Sequence, residues 1–225
     1  MFFLKQKEAV PGEARSSRME KGALLISAFF HPLLMPLYSV FRVFTSGCGT
    51  FSMPPESRTE ILTLVFAGSF LLPLAAILIF RFTGLISSLR MEERRDRHLP
   101  HLAAFLSFTA LAFVFYFRLP AYPLAWLMML GTAVSVGLTG IITRFWKISS
   151  HMAGTGGFLG FCMMMDLACV AGMQGTGILY GLSFSAVVAW ARFYLRAHTP
   201  AQLIAGFLLG MVISSLSVSF FAGFF

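Results

Sequence analysis

The composition of this 225-residue chain excludes a water-soluble protein, since 57% of its residues are hydrophobic, 12% are charged and the mean hydropathy is +0.80. The net charge of +8 does not indicate nucleic-acid binding, because the basic residues flank or interrupt apolar runs instead of forming a solvated patch. Anionic lipids and a phosphorylated lipid substrate fit this charge distribution better. We therefore expect a membrane protein with anionic lipid partners and no nucleic-acid partner.

Long apolar segments alternate with short polar breaks along the chain. Runs of about 20 apolar residues can cross a hydrocarbon core about 30 Å thick as helices, and they lack the alternation of a β-barrel. We predict an all-α bundle of about six to seven transmembrane helices, with a soluble tail over residues 1–22 and a single domain over residues 23–225. The apolar segments are 23–45, 61–86, 100–118, 120–143, 152–173, 175–196 and 200–224.

Three basic breaks between these segments are predicted to lie on one side of the membrane. They occur at residues 87–99, 144–151 and 192–199, after the second, fourth and sixth crossings. All three therefore emerge on the face that also carries the N-terminus. Most of the arginines and lysines lie on this face, and the positive-inside rule places it in the cytoplasm.

The first break carries two arginines seven positions apart, Arg90 and Arg97. On a helix this spacing places them on one face, where two guanidinium groups can grip one phosphate. The alternative is a solvated, self-paired loop that anchors the helix at the headgroups.

The second break ends in Ser149, Ser150 and His151, just before an apolar helix rich in small residues. A hydroxyl here is ordinarily an N-cap, and the exposed amides of the first turn also form an anion site. His151 can donate a proton to a leaving alkoxide. It can equally be an interfacial histidine without chemistry.

The third break holds Arg192 and His198, six positions apart. Thr199, Pro200 and Gln202 form a capping-box pattern at the start of the next helix. That pattern accounts for neither Arg192 nor His198. A histidine at a helix N-terminus is well placed beside a bound phosphate.

Together the three breaks resemble the type 2 phosphatidic acid phosphatase (PAP2) superfamily, as in a divergent bacterial-type member. The family pattern is Lys-x6-Arg-Pro, then Pro-Ser-Gly-His, then Ser-Arg-x5-His-x3-Asp. The corresponding elements here are Arg90-x6-Arg97, Ser149-Ser150-His151 and Arg192-x5-His198-x3-Gln202. The segment from Phe30 to Pro36 also resembles the opening segment of such members. Its prolines predict a kinked first helix.

The resemblance implies a phosphatase of the bacterial cytoplasmic membrane that acts on a membrane lipid phosphate without metal or other cofactor. His198 would attack phosphorus to form a phosphohistidine, His151 would protonate the leaving oxygen, and Gln202 would orient His198. The phosphate oxygens would be held by Arg90, Arg97, Ser149, Ser150 and Arg192. The residues agree on one point: Asp166 is the only acidic residue after Asp96, so no carboxylate cluster follows that could hold Mg²⁺ or Ca²⁺.

Two features leave alternatives open. Gln202 stands where the family has aspartate, and an amide can accept the Nδ1–H of His198 but stabilises an imidazolium less well. A catalytically impaired protein that binds lipid phosphate is therefore one alternative. Asp166, near mid-bilayer by count, is predicted to form an interhelical hydrogen bond or to line a path, and it suggests a proton-coupled transporter as the other.

Overall fold

The computed structural model describes residues 11–46, 55–89, 91, 93–120, 122–168 and 175–222, and all regular structure in these residues is helical. The predicted all-α bundle is confirmed. The α-helices are α1 (Pro11–Phe29), α2 (Met35–Thr45), α3 (Arg58–Phe66), α4 (Leu72–Phe82), α5 (His98–Arg118), α6 (Pro123–Phe145), α7 (Ser150–Ala168), α8 (Thr176–Tyr194) and α9 (Pro200–Ala222).

Six helical stretches in the described part of the chain are long and apolar enough to cross a membrane, which makes the chain an integral membrane protein. The prediction of six to seven crossings is therefore confirmed. The predicted segment outside this set is the fifth, 152–173, which corresponds to α7; this helix is less apolar and packs against α2, α6, α8 and α9. The six stretches are Ser17–Thr45, Arg58–Phe82, Arg95–Arg118, Pro123–Phe145, Thr176–Tyr194 and Pro200–Phe220.

The first crossing is kinked at Pro32, as predicted. Because proline has no N–H, the helix breaks there and nearby carbonyl groups lose their helical partners. Tyr38 donates its hydroxyl to the carbonyl of Phe29 at 2.8 Å, and His151 donates from Nε2 to the carbonyl of Ser27 at 3.0 Å. Before the kink, α1 extends back to Pro11, so residues 11–22 of the predicted tail are helical.

The second crossing also contains an irregular turn. A π-helical segment, Ala67–Leu71, joins α3 to α4. The carbonyl of Gly68 within it accepts a hydrogen bond from the hydroxyl of Ser107 on α5. A polar side chain from the neighbouring helix thus satisfies a backbone group that the irregular turn exposes.

The centre of the bundle is a close contact between α7 and α9. A Cβ atom on Gly206 or Gly210 would overlap the carbonyl oxygen of Ser149 or Ala153, respectively. Small residues permit this approach, which is a common basis of helix packing in membranes. The contact fixes the start of α7 beside the start of α9.

The three predicted junctions meet at one end of the bundle, called here the basic end, whose described residues are 83–89, 91, 93–97, 146–149 and 195–199. Arg94 Nη1 donates to the carbonyl of Phe145 at 2.9 Å, joining the first junction to the second. The backbone N–H of Ser149 donates to the carbonyl of Gln202 at 3.3 Å, joining the second junction to the first turn of α9. The same-side prediction is confirmed by these contacts.

Aromatic side chains mark both ends of the bundle. Trp146 and Trp190 are exposed near the basic end, and Tyr116 is exposed near the opposite end. Tryptophan and tyrosine concentrate at membrane–water interfaces. The basic end therefore lies at headgroup level.

Candidate anion-binding site

His198 is the buried histidine of the third junction. Its Nδ1 lies 3.1 Å from the carbonyl oxygen of Lys147, and a carbonyl can only accept, so Nδ1 carries the hydrogen. In the neutral ring Nε2 then keeps its lone pair. Burial, and after it the charges of Arg97 and Arg192, lower the pKa of His198 from its ordinary value of 6.5 to about 3. At neutral pH His198 is therefore a neutral imidazole whose Nε2 has no hydrogen-bond partner among the described residues.

Gln202 does not occupy the predicted position as the hydrogen-bond partner of His198. The Oε1 of Gln202 accepts from the backbone N–H of Thr199 at 3.1 Å, and the backbone N–H of Gln202 donates to Thr199 Oγ1 at 3.4 Å. This is the predicted capping box, which turns the Gln202 side chain back over the first turn of α9. The carbonyl of Lys147 accepts the Nδ1 hydrogen bond instead.

Arg97 and Arg192 bring two guanidinium groups to the same region. Arg97 is only 7% exposed, and its Nε donates to the carbonyl of Met91 at 2.9 Å. The Nε of Arg192 is buried and has no hydrogen-bond partner. The charges of both arginines act on His198.

Neither of these arginines has a carboxylate partner among the described residues. The ion pairs there join Arg42 to Asp166 and Arg95 to Glu93. A buried cation without a partner is costly, and a bound oxyanion would supply the missing counter-charge. The electrostatics of the basic end thus favour an anion.

The predicted pairing of Arg90 with Arg97 on one helical face stays a prediction. Arg90 lies outside the described residues. Arg97 belongs to a 3₁₀ turn, Arg95–Arg97, at the start of α5. The positive φ angles of Gly84 and Met91 are incompatible with a continuous helix through this junction. Arg97 therefore reaches the site from the first turn before α5.

Ser149 and Ser150 begin α7 with different partners. Ser149 is fully buried, and its hydroxyl accepts from the N–H of Met152 at 3.4 Å, as the predicted N-cap does. The Ser150 hydroxyl lies 2.9 Å from Nε2 of His101. The hydroxyl groups therefore build the turn, and the first-turn amides of α7 are the groups suited to an anion.

His151 lies one residue further along α7. Because its Nε2 donates to the carbonyl of Ser27, the lone pair of the neutral ring is on Nδ1. Its ring meets that of His31 edge-on, with 5.5 Å between centroids. The charge of Arg192 acts on both rings, which places the two histidines in the field of the site.

Two further histidines of this region, His31 and His101, were not among the predicted site residues. His101 follows Arg97 by four residues, a spacing that places both on one helical face. His31 directly precedes the kinking Pro32. Both signals are local and carry no chemistry by themselves, which is why the three-motif pattern did not include them.

Asp166 lies at the opposite end of the bundle, and its predicted mid-bilayer position is wrong. It is the third residue from the end of α7 and pairs with Arg42 at 3.0 Å. It also accepts from the N–H of Ile178 at 3.2 Å, while Arg42 donates to Thr176 Oγ1 at 3.3 Å. The buried pair therefore ties α2, α7 and α8 together, away from the anion site.

Comparison with protein-family models, with curated proteins and with solved structures gives no match for this chain. In the part of the chain that the structure describes, no three histidine, cysteine, aspartate or glutamate side chains are placed to hold a metal ion. The features that bear on function are therefore the geometry of the basic end and the three motifs.

Proposed function

We propose that this protein is a lipid phosphate phosphatase of the PAP2 type, acting in the bacterial cytoplasmic membrane on a lipid phosphomonoester or pyrophosphate. The observation that best supports the proposal is the tautomer of His198, together with its burial beside two arginines. Its neutral imidazole lies buried in the field of Arg97 and Arg192. Among the described residues, Nε2 has no hydrogen-bond partner and neither arginine has a carboxylate partner.

In the first step, Nε2 of His198 attacks phosphorus and the bond from phosphorus to the lipid oxygen breaks. The product is a phosphohistidine, with the Nδ1–H still directed at the carbonyl of Lys147. Arg97, Arg192 and the first-turn amides of α7 neutralise the charge on the phosphoryl oxygens. Positioning and electrostatic stabilisation supply most of the rate enhancement in phosphoryl transfer.

His151 acts as the general acid and then as the general base. When the anionic substrate is bound, its negative charge favours a proton on Nδ1 of His151, the nitrogen that Ser27 leaves free. That proton passes to the leaving lipid oxygen. In the second step His151 takes a proton from water, the water oxygen bonds to phosphorus, and the bond from phosphorus to Nε2 of His198 breaks. The products are inorganic phosphate, neutral His198 and a His151 that again carries the proton for the next leaving oxygen.

A lipid substrate is supported by the depth of the site. The basic end lies at headgroup level, marked by Trp146 and Trp190. A lipid bound there keeps its tails in the hydrocarbon core and presents its phosphate to His198. Basic residues on the same face attract anionic lipids. From the positive-inside rule we propose that the site faces the cytoplasm.

One observation favours a second candidate, a protein that binds lipid phosphate without turnover. The Nδ1 hydrogen bond of His198 goes to a neutral carbonyl, which stabilises an imidazolium less than a carboxylate does. A transporter that moves protons through Asp166 is not favoured, because a buried ion pair with Arg42 holds this carboxylate.

Phosphate release from phosphatidate tests the proposal with purified protein in detergent containing EDTA. We expect turnover in EDTA, and a loss of about 100-fold or more in Arg192→Gln. Arg144→Gln is the matched control, because Arg144 is an exposed arginine near the same end. Tight phosphatidate binding without release would favour the second candidate. An absolute requirement for a divalent metal would contradict the mechanism.

A further inference from the structure

His101 lies between two of the junctions that form the basic end. Its Nδ1 is 2.6 Å from the carbonyl of Arg97 in the first junction, so Nδ1 carries the hydrogen and donates. Its Nε2 then accepts from the hydroxyl of Ser150 at 2.9 Å, at the start of α7. Both ring nitrogens are thus used, one for each junction.

The ring of His101 lies close to α6 on one side and lines a cavity with Ser150. A Cβ atom on Gly140 of α6 would lie 3.1 Å from the Cβ of His101. His101 and Ser150 are both among the residues that line a cavity of about 60 Å³. The two hydrogen bonds hold both ring nitrogens and therefore orient the ring.

The His101–Ser150 bond also joins elements that pack mainly on other partners. Helix α5 packs mainly on α4 and α6, whereas α7 packs mainly on α8 and α9. Arg97 comes from the turn before α5, and the first-turn amides come from α7. The His101–Ser150 bond therefore links the turn that carries Arg97 directly to the first turn of α7.

We propose that His101 is a positioning residue that sets Arg97 and the start of α7 at the separation needed to hold one tetrahedral oxyanion. The inference depends on the proposed function, since it assumes that the basic end binds phosphate. His101 itself touches neither the anion nor the reacting atoms. Misplacement of a ligand-binding group by about 1 Å can lower the rate about 100-fold. Loss of the His101–Ser150 hydrogen bond is therefore expected to lower kcat/KM measurably.

Two substitutions separate the two hydrogen bonds. In His101→Asn the amide nitrogen replaces Nδ1, so the bond to Arg97 is kept and the acceptor for Ser150 is lost. In His101→Gln the amide reaches the place of Nε2, so the bond to Ser150 is kept and the bond to Arg97 is lost. His98→Asn, three residues earlier, is the matched control, because the side chain of His98 has no hydrogen-bond partner among the described residues.

The experiment measures the dissociation constant of orthovanadate, kcat and KM for phosphatidate, and the Tm of each variant in detergent. We expect each His101 variant to weaken orthovanadate binding and to lower kcat/KM by about 10-fold, with His98→Asn unchanged. Ser150→Ala removes the same bond from the other partner. The double variant His101→Asn/Ser150→Ala should therefore be no weaker than either single variant, because interacting residues are not additive.

The outcomes distinguish this inference from the proposed function. Wild-type turnover with unchanged orthovanadate affinity in His101→Asn and Ser150→Ala would overturn the positioning role alone. Additive effects of the two substitutions, or a lower Tm with unchanged affinity, would also overturn it. Weakened orthovanadate binding in the variants of a protein that hydrolyses no lipid would overturn the phosphatase and support the positioning. A wild type that neither binds orthovanadate nor turns over would overturn both.

Discussion

His198 donates from Nδ1 to the carbonyl oxygen of Lys147 across 3.1 Å, joining the junction before α9 to the junction before α7. Because the acceptor is a backbone group, no side-chain substitution of Lys147 removes it. The tautomer of His198 is therefore set by the fold itself. This hydrogen bond makes Nε2 the nitrogen that can attack phosphorus. It also leaves Gln202 without the predicted role of orienting His198.

Gln202 is expected to contribute stability and little catalysis. Gln202→Ala removes half of a capping box, which should cost about 1 kcal/mol and leave the turnover rate within about threefold of wild type. Gln202→Glu is the matched control, because glutamate at this position completes the same motif. Thermal unfolding and phosphate release check both variants. If turnover fell about 100-fold in both variants while the Tm stayed unchanged, Gln202 would belong to the chemistry.

The ion pair between Arg42 and Asp166 is expected to support folding only. Asp166→Asn leaves Arg42 buried without a counter-charge, which typically costs about 3–5 kcal/mol. Activity per folded molecule should persist, since fifteen residues of helix, about 22 Å, separate Asp166 from His151.

The control for this pair is Glu93→Gln, which breaks the exposed pair with Arg95 and should cost under about 1 kcal/mol. Denaturant titration in detergent, with activity measured on the folded fraction, compares the two variants. Loss of specific activity in Asp166→Asn at full folding would link Asp166 to function.

The contact between α7 and α9 supplies a matched pair of glycine substitutions. Gly210→Ala places a methyl group against the carbonyl of Ala153 and should destabilise the protein by about 1–3 kcal/mol or more. Gly157→Ala meets its nearest atom at an ordinary 3.7 Å in the same interface. It should be neutral or slightly stabilising, because alanine favours helix over glycine by about 1 kcal/mol. Equal Tm values for the two variants would contradict this packing.

The setting of His198 predicts how stability depends on pH. In the unfolded chain its imidazole takes up a proton as the pH falls through about 6.5, whereas the lowered pKa keeps it neutral in the folded protein to about pH 3. The contribution of His198 to stability is therefore complete above pH 6.5 and is lost as the pH falls toward 3.

The Tm of the wild type should consequently fall more steeply below about pH 6.5 than that of His198→Asn. Asparagine keeps a donor in the place of Nδ1, so the bond to Lys147 is preserved while the titrating group is removed. The measurement is a series of thermal unfolding curves in detergent at several pH values. Parallel Tm profiles would show that His198 is not held neutral by burial.

The sequence predicted the helical bundle and the convergence of the three junctions because both depend on apolar length and on the order of crossings. The partners of individual side chains could not be predicted in the same way. Whether Gln202 or a backbone carbonyl receives the Nδ1–H of His198 depends on the turn before α9. Likewise, the pairing of Asp166 with Arg42 depends on the register of α2 against α7, which no local pattern encodes.

The most direct test is to trap the covalent intermediate. Protein in detergent is mixed with a lipid phosphate labelled with ³²P, quenched within milliseconds to seconds, and digested for mass spectrometry. The phosphohistidine mechanism predicts an acid-labile, alkali-stable phosphoryl group on His198 that forms at the rate of turnover and is missing in His198→Asn. Turnover that continues in His198→Asn, or a phosphoryl group on another residue, would contradict it.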